Sequence, residues 1–523
     1  MRRRGWLLLS TLTAIAVLLA GAPPASAARA PAAAGRALAW KRCADPAQRE
    51  FQCAAIRVPF DYRRPRGRHI RLAVIRHRAS EPARRVRTLF YEPGGPGVPG
   101  TAFLPASIDG FPAALRARFD IVSWDPRGVG ASTAVQCFAS KDAEDRFFAG
   151  SPTRSVDGFP VGPGQMTRWT ERYRRFGARC ERRNGRLLRH ISTVDTVRDL
   201  DLMRRRAGDR ELNFLGTSYG TEVGAVYANM FPARVRAMAL DGDINPTAWS
   251  HPLRAQNGGR FLPGGLRFRA DEATAKALKA FLDLCGREDT AHCAFSAGSP
   301  ASTREKFGEL LGRLPVDATA GQTSYAQAIS GTIRDLYFTS RWKDRAMALQ
   351  RLWEGGPSAL APAAGAAGSR PAPEVYAGEE QELAIACGEV PSPRASAFPG
   401  IDAFARRRSG VVGPFWAWDY EPCSTWPVRS AHRYTGPWDH RTANPVLVIG
   451  NTFNPATPYR GAVAMARQLA RARLLSVDGY GHTALLNPSS CVNHYESRYF
   501  IKGTLPPKGS RCRQDRQPFS PGR

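Results

Sequence analysis

Apolar residues along the chain switch between alternating, continuous and helical spacing, and each spacing predicts a different element. From 56 to 77, apolar and basic residues alternate around a Pro-Arg-Gly turn, which predicts an antiparallel hairpin. Helical spacing from 193 to 203 indicates an amphipathic helix. Strands alternating with helices predict an α/β fold with a mostly parallel central sheet. Continuous apolar runs predict its buried strands at 88–91, 120–124, 212–215, 235–240, 445–449 and 474–477.

The spacing becomes helical over a long stretch between 249 and 430. Ser302 and Glu305 occupy capping-box positions there. This is too much helix for a simple connection between two strands, so we predict a mainly helical lid at 249–430 inserted into a core at 39–248 and 431–512, with a short tail at 513–523. An Ala-, Gly- and Pro-rich stretch at 357–373 predicts a flexible break in the lid. The candidate lid helices are 271–284, 305–314, 325–338 and 344–353.

One segment combines a strand, a sharp turn and a helix. The pentapeptide at 216–220 reads Gly-Thr-Ser-Tyr-Gly, directly after the apolar run at 212–215 and before apolar residues at helical spacing. It fits Gly-x-Ser-x-Gly, in which the two glycines lack the Cβ atoms that would clash in so tight a turn. The pattern predicts a nucleophile elbow with Ser218 at its apex.

Four segments together resemble the secreted α/β-hydrolase exopeptidases of actinobacteria, the tripeptidyl and prolyl aminopeptidase group of serine peptidases. They are Leu-Phe-Tyr-Glu-Pro-Gly-Gly-Pro-Gly at 89–97, Val-Ser-Trp-Asp-Pro-Arg-Gly-Val-Gly at 122–130, the elbow, and Gly-His-Thr at 481–483. Their order and spacing extend over most of the chain. The resemblance implies an α/β-hydrolase fold and the cleavage of peptides or amides near a free N-terminus.

The resemblance also implies roles for individual residues. In α/β-hydrolases the loop after the strand at 88–91 gives one backbone N–H of the oxyanion hole, and the residue after the nucleophile gives the other. Those donors would be Gly95, or a neighbouring glycine, and Tyr219. His482 stands where the superfamily places its catalytic base, which takes the Ser218 proton and returns it to the leaving amine.

The third member of the triad departs from the family pattern. The family reads Gly-x-x-x-Asp-Pro-x-Thr-Pro, and this chain has Asn454 at the Asp position. An amide can orient the imidazole but cannot stabilise its charge, and a serine triad changed in this way loses roughly 10⁴-fold in turnover. Three hypotheses follow: Asn454 serves in a slow enzyme, another carboxylate replaces it, or the protein keeps a peptide-binding cleft with little catalysis. The replacement would be Asp243 or Asp241, with Asp478 a weaker candidate.

An exopeptidase of this type needs an anion to hold the substrate ammonium group. Glu379, Glu382 and Glu389 lie close together late in the predicted lid, beside Glu380, and we predict that they bind the substrate N-terminus. An esterase or lipase would use the same nucleophile; a wide apolar lid surface would favour that class, and a closed acidic pocket the peptidase. No cofactor motif or metal-ligand spacing is present, so we expect neither.

The first residues read as an export signal. Three arginines at 2–4 precede an apolar stretch to about 20 and a small-residue cleavage site at 25–27, which favours removal after Ala27 over a membrane anchor. An Ala- and Pro-rich linker at 28–38 is expected to be disordered. We therefore predict a secreted, extracellular monomer with no membrane partner after processing.

Charge and cysteine usage complete the prediction. The net charge of +30 could indicate nucleic acid as a partner, but the cations are scattered along the sequence, so we expect no nucleic-acid binding. Ten cysteines in an exported chain suggest up to five disulfides. Neighbours along the sequence are the simplest partners: Cys43 with Cys53, Cys137 with Cys180, Cys285 with Cys293, Cys387 with Cys423, and Cys491 with Cys512.

Overall fold

Ten strands form one sheet in the computed structural model, which describes residues 37–150, 157–319, 322–356 and 376–520. Their spatial order is β1-β2-β3-β5-β4-β6-β7-β8-β9-β10. The strands are β1 (Lys41–Arg42), β2 (Phe51–Pro59), β3 (His69–His77), β4 (Arg87–Glu92), β5 (Phe119–Trp124), β6 (Leu212–Thr217), β7 (Val235–Asp241), β8 (Val446–Phe453), β9 (Ala472–Tyr480) and β10 (Arg511–Arg513).

The sheet is antiparallel at one end and parallel through the rest. β1, β2, β3 and β5 pair antiparallel, and the predicted hairpin is the β2–β3 pair with Phe51 opposite His77. Every other neighbouring pair, from β5 through β4, β6, β7, β8 and β9 to β10, is parallel. The predicted α/β fold with a mostly parallel sheet is confirmed. Parallel strands end at a common edge, and that edge holds the candidate site.

Seventeen α-helices occur in the described part of the chain. α5 leads into β6, α6 leaves it, and nine helices, α7 to α15, lie between β7 and β8. The helices are α1 (Gly100–Ser107), α2 (Ala113–Arg118), α3 (Lys141–Phe148), α4 (Gly162–Leu188), α5 (Thr193–Arg206), α6 (Tyr219–Met230), α7 (Pro246–Ser250), α8 (Gly264–Phe268), α9 (Ala270–Cys285), α10 (Pro300–Arg313), α11 (Tyr325–Asp335), α12 (Trp342–Trp353), α13 (Glu379–Glu389), α14 (Phe398–Ser409), α15 (Gly413–Trp418), α16 (Tyr459–Gln468) and α17 (Ser490–Lys502).

Helices cover both faces of the parallel strands, which explains their continuous apolar runs. Side chains alternate between the two faces of a strand, so Phe214 joins one hydrophobic cluster and Leu215 the other. Phe90 and Leu89 divide in the same way on β4. Both core clusters therefore meet at β4 and β6, the strands that lead into the two motifs expected to carry the chemistry. No helix among the described residues is long and apolar enough to cross a membrane.

Several predicted elements differ from the structure. α10 begins at Pro300 and is capped by Ser299, which accepts the Ser302 N–H, so the predicted Ser302–Glu305 capping box was wrong. Near the C-terminus, α17 and β10 were not predicted. α4 was not predicted, because arginines interrupt its apolar positions. The predicted export signal and the break at 357–373 lie outside the described residues.

All five predicted disulfides are present. The structure joins Cys43–Cys53, Cys137–Cys180, Cys285–Cys293, Cys387–Cys423 and Cys491–Cys512. Two of them tie α4 to the loop after β5, and α13 to the segment after α15. The bridges thus restrain the helical segments that surround the carboxyl edge of the sheet.

Candidate active site

The turn between β6 and α6 holds Ser218 in a strained conformation. Its backbone has φ 56° and ψ −124°, a left-handed region that a side-chain-bearing residue seldom adopts. The Ser218 N–H donates to the Asp241 carbonyl of the neighbouring strand at 3.0 Å. The side chain is partly exposed, whereas the residues on either side are buried. The predicted elbow geometry is present, with Ser218 alone at its apex.

Close packing explains the two glycines of the pentapeptide. A Cβ added at Gly216 would lie 2.3 Å from the Gly220 carbonyl oxygen. One added at Gly220 would lie 2.3 Å from the Glu92 carbonyl oxygen at the end of β4. Neither separation is sterically possible, so the turn requires both glycines.

The Gly-Gly loop after β4 lies directly against the elbow. A Cβ at Gly94 would lie 2.8 Å from the Ser218 Cβ and 2.9 Å from the Tyr219 backbone nitrogen. The Gly94 N–H is already used, because it donates to the Glu92 carboxyl group at 2.8 Å. Within the described residues, no protein acceptor is recorded for the N–H of Gly95 or of Tyr219. Neither of the two expected oxyanion donors is therefore taken up by another group of the described protein.

His482 follows β9, and its Nδ1 has two uncharged partners. Asn454 Oδ1 lies 3.0 Å from Nδ1, and Thr457 Oγ1 lies 3.3 Å from it. The Asn454 amide donates to Thr457 Oγ1 at 2.9 Å and to the His482 carbonyl, while Oδ1 also accepts the Ala456 and Thr457 N–H groups at 3.0 Å. Asn454 is thus fixed by bonds on both ends of its amide. It orients the ring as the family's Asp would, without its charge.

The uncharged surroundings dominate the titration of His482. Burial without a neighbouring carboxylate lowers the pKa of the imidazole to about 4. The ring is consequently neutral and able to accept a proton at pH 7. The imidazolium that would form during general-base catalysis is correspondingly costly.

Asp241 connects the serine and histidine loops. Its backbone carbonyl accepts the Ser218 N–H, and its carboxyl group accepts the N–H of Ala484 at 3.1 Å and of Leu485 at 3.0 Å. Because one residue holds the backbone on both sides, the elbow and the His482 loop lie next to each other at the carboxyl edge of the sheet. Asp241 is used in these bonds and does not contact the imidazole.

The alternative acids do not reach His482. Asp243 is buried, and neither of its carboxyl oxygens has a hydrogen-bond partner among the described residues. Burial and the neighbouring Asp241 raise the pKa of Asp243 well above its usual value. Asp478 pairs with Arg511 at the far edge of the sheet. Asn454 is the residue that the structure places on Nδ1.

Two of the three glutamates predicted to bind the substrate ammonium group accept hydrogen bonds from other residues of the protein. Glu379 accepts the Tyr173 hydroxyl at 2.7 Å. Glu389 accepts the Thr193 N–H at 2.7 Å and its hydroxyl at 2.6 Å, together with the Trp249 indole at 3.2 Å. Both are buried. Because internal donors already bind both carboxyl groups, the structure does not support the predicted role of Glu379 and Glu389 in binding the substrate N-terminus.

Glu382 differs from these two, and it has a partner that the sequence did not indicate. Glu382 and Asp419 are both half-buried, and within the described residues neither carboxyl group has a recorded ion pair or hydrogen bond. Burial and the nearby Asp419 raise the pKa of Glu382 well above normal, and burial raises that of Asp419 to about 7. Asp419 is thus close enough to Glu382 to disfavour its ionisation, and no salt bridge is recorded for either carboxyl group in the described structure.

This carboxyl pair lies beside the oxyanion loop and the residues around His482. A Cβ at Gly97 of the oxyanion loop would lie 2.8 Å from the Glu382 backbone nitrogen. The Tyr337 ring packs against His482 with centroids 4.8 Å apart, and its carbonyl accepts the His482 N–H at 2.9 Å. Burial, and then Asp419 and Glu382, raise the pKa of Tyr337, so all three side chains share one environment. Helices between β7 and β8 thus bring an acidic pair over the elbow.

The fold and this arrangement define a serine hydrolase of the α/β-hydrolase superfamily. A family model described as TAP-like protein matches residues 409–512. Serine protease Hip1 of Mycobacterium tuberculosis is 32% identical, over 88% of this chain and 87% of that protein. Tripeptidyl aminopeptidase of Streptomyces lividans is 30% identical, over 93% and 88% respectively. Carboxylesterase B of Mycobacterium tuberculosis is 33% identical, over 96% and 98%. The chain belongs to this TAP-like family of serine hydrolases.

Proposed function

We propose that this serine hydrolase is an exported aminopeptidase that releases residues or short peptides from the N-termini of peptides. Ser218 is the nucleophile and His482 the general base. The names of two relatives, a serine protease and a tripeptidyl aminopeptidase, support peptide substrates. The observation that carries the proposal is the unpaired Glu382–Asp419 carboxyl pair beside the elbow.

The proposed reaction starts with attack of the Ser218 hydroxyl on the scissile carbonyl, while His482 takes its proton. The carbonyl oxygen becomes an oxyanion, which the N–H groups of Gly95 and Tyr219 stabilise. His482 then gives the proton to the leaving amine, and an acyl-enzyme remains. Water, deprotonated by the same imidazole, releases the N-terminal fragment and restores the hydroxyl.

The carboxyl pair explains why such an enzyme would act near a free N-terminus. An ammonium group between Glu382 and Asp419 would favour ionisation of both carboxyl groups and replace their mutual repulsion with two charge-assisted hydrogen bonds. The surrounding tyrosines, Tyr337 and Tyr420, supply aromatic walls compatible with a cation. A blocked N-terminus offers no charge and would leave the acidic pair unpaired.

Asn454 determines the turnover rate that we expect of the enzyme. It holds the imidazole by the Nδ1 contact at 3.0 Å, so the base is positioned. It contributes no negative charge, so the proposed enzyme is slow relative to a complete triad, by roughly 10⁴-fold. A protein that binds peptides and barely cleaves them is the limiting case of the same proposal.

The test compares tripeptidyl anilides that carry a free or an acetylated N-terminus. We expect the free amine to be preferred, and Glu382→Gln or Asp419→Asn to raise KM for it roughly 10- to 100-fold while leaving the acetylated substrate unchanged. The matched control is Asp344→Asn, an exposed acid on α12. Equal loss on both substrates would contradict an ammonium site. Faster cleavage of uncharged esters that is insensitive to Glu382→Gln would indicate an esterase instead.

A further inference from the structure

Helix α4 carries an exposed row of cations that the sequence alone did not reveal. Its C-terminal half exposes Arg179, Arg182, Arg183 and Arg186, with Arg189 directly after it, and Glu181 is the exposed acid among them. Dispersed through the sequence, these residues look like an ordinary basic surface. The 27-residue helix places them on one side of the molecule.

The tip of the β2–β3 hairpin brings further arginines to the end of this helix. Together they line a cavity of about 270 Å³. Four arginines, two from the hairpin and two from the helix end, dominate its lining. We call this the arginine pocket and define it by Arg64, Arg68, Arg186 and Arg189.

The positive charge of the arginine pocket is only weakly neutralised by other groups of the protein. No ion pair is recorded for any of its four arginines in the described structure, and the one acid in the lining, Asp61, pairs with Arg63. The C-terminal end of α4 contributes only about half a negative charge. Four guanidinium groups outweigh that partial charge, so the cavity attracts anions. Arg68 also packs over the Phe60 ring at 4.9 Å, which restricts its side chain.

The residues around the arginine pocket favour some classes of anionic ligand over others. Guanidinium forks match phosphate oxygens, and the exposed arginines of α4 extend the basic track beyond the cavity. The large hydrophobic residues exposed in the described structure are Val316 and Met347, which lie on neither element, so apolar insertion into a bilayer has no support there. Phe60 is buried, and the half-buried ring of His190 already packs against Phe60 at 4.6 Å and His432 at 6.3 Å, so the lining offers little aromatic surface for base stacking. A flexible phosphate polymer without bases fits best.

We propose that the arginine pocket and the exposed arginines of α4 bind a linear phosphate-bearing polyanion, with one phosphate in the cavity and its neighbours along the helix. No residue that lines the arginine pocket belongs to the elbow or to the His482 loop, and the proposal does not depend on the proposed peptidase activity. It would attach the hydrolase to phosphate-rich polymer while Ser218 remains free to act.

The test measures affinity of the full-length mature protein for short-chain inorganic polyphosphate across a salt series. The variant R64Q/R68Q/R186Q/R189Q should lose roughly 100-fold in affinity at low salt, and the slope of log K against log salt should fall by about 3, since single-strand polyanions give about 0.7 per contact. The matched control, R351Q/R407Q/R441Q/R516Q, removes the same charge from four exposed arginines elsewhere. We expect it to lose less than about threefold.

Other outcomes overturn the proposal. Equal loss in both fourfold variants would mean that net charge alone drives binding. Tighter binding of the parent to single-stranded DNA or to anionic phospholipid vesicles than to polyphosphate would assign the surface to another class of partner. If the fourfold variant fails to unfold cooperatively, Arg186→Gln alone tests the same site, with an expected loss of roughly threefold against none for Arg407→Gln.

Discussion

The site has a serine side, formed by the elbow and the oxyanion loop, and a histidine side, formed by His482 and Asn454. The serine side has every group that the reaction needs, whereas the histidine side lacks a negative charge. On the serine side, the strained backbone of Ser218, the two obligatory glycines and the unoccupied N–H groups form a complete elbow and oxyanion loop. On the histidine side, Asn454 makes every positioning contact and leaves the imidazole without a charge. The difference shows that a fold can preserve the geometry of a triad separately from its electrostatics.

The largest expected effect comes from restoring that charge. Asn454→Asp should raise kcat roughly 10³-fold, somewhat below the roughly 10⁴-fold cost of the opposite change in serine triads. The gain is smaller because the second carboxylate oxygen would face the His482 carbonyl, which now accepts from the Asn454 amide. The increase in kcat can be measured from steady-state rates on a tripeptidyl anilide.

Asp243→Asn is the matched control for that variant. Asp243 makes no recorded hydrogen bond to His482 in the described structure, so its amide isostere should change kcat by less than about threefold. A loss above about tenfold would show that Asp243 supplies the missing charge after all, and the assignment of Asn454 would be wrong.

Removing the nucleophile should have a moderate effect in the parent and a severe one in the restored enzyme. Triad members act as a unit, so Ser218→Ala should lower kcat about 10²-fold in the parent but about 10⁵-fold in the Asn454→Asp background. Fluorophosphonate labelling should disappear in both. Equal losses in the two backgrounds would mean that Ser218 and His482 do not work together.

A single methyl group should damage the serine side. Gly220→Ala should destabilise the fold by about 1–3 kcal/mol, because its Cβ meets the Glu92 carbonyl at 2.3 Å. Gly308→Ala in the middle of α10 has open space and should be neutral or stabilising by about 0.5–1 kcal/mol. Thermal unfolding of both variants measures the difference, and similar midpoints would contradict the packing argument.

The smallest expected effect is the pH dependence of stability. Burial raises the pKa of Glu92 and Glu496 to about 8 and of Asp241 to about 7, so the folded protein holds protons that the unfolded chain releases above about pH 4.5. Stability from these groups is therefore lost as pH rises through 7 and 8. His482, with its pKa lowered to about 4, acts oppositely and costs stability below about pH 6.5.

From about pH 4.5, where the unfolded chain begins to release its protons, the loss from three carboxyl groups outweighs the gain from one imidazole, so these groups place the maximum of stability near pH 4.5. The unfolding midpoint should fall by roughly several degrees between pH 6 and pH 9. Glu92→Gln should flatten that fall, because the amide keeps the Gly94 N–H bond without a titrating charge. A midpoint that rises steadily to pH 9 would contradict the buried protonated carboxyls.

Local patterns in the sequence were sufficient to predict the serine side. The elbow, its strand and its helix depend on neighbours in the chain, and Gly-x-Ser-x-Gly expresses a steric requirement that the structure shows at Gly216 and Gly220. The family resemblance likewise placed Asn454 at the acid position, and its Oδ1 lies 3.0 Å from His482 Nδ1. The disulfides followed from proximity along the chain.

Long-range contacts were not predictable in the same way. Asp419 and Tyr337 come from separate helical segments, and only the folded chain brings them to Glu382 and His482. The glutamates of α13 look equivalent in sequence, yet Glu379 and Glu389 are bound to internal donors contributed by α4, α5 and α7. The basic face of α4 was missed because arginines interrupt its apolar spacing.

The most direct test of the uncharged histidine side is the pH dependence of kcat/KM of the parent and of Asn454→Asp on the N-acetylated tripeptidyl anilide, which does not use the Glu382–Asp419 pair. The account predicts that the parent keeps its activity down to an acid limb near pH 4, where the buried imidazole protonates. In Asn454→Asp the limb should move up by about one to two units, because a carboxylate stabilises the imidazolium. A parent limb already between pH 6 and 7, unmoved by Asn454→Asp, would contradict it.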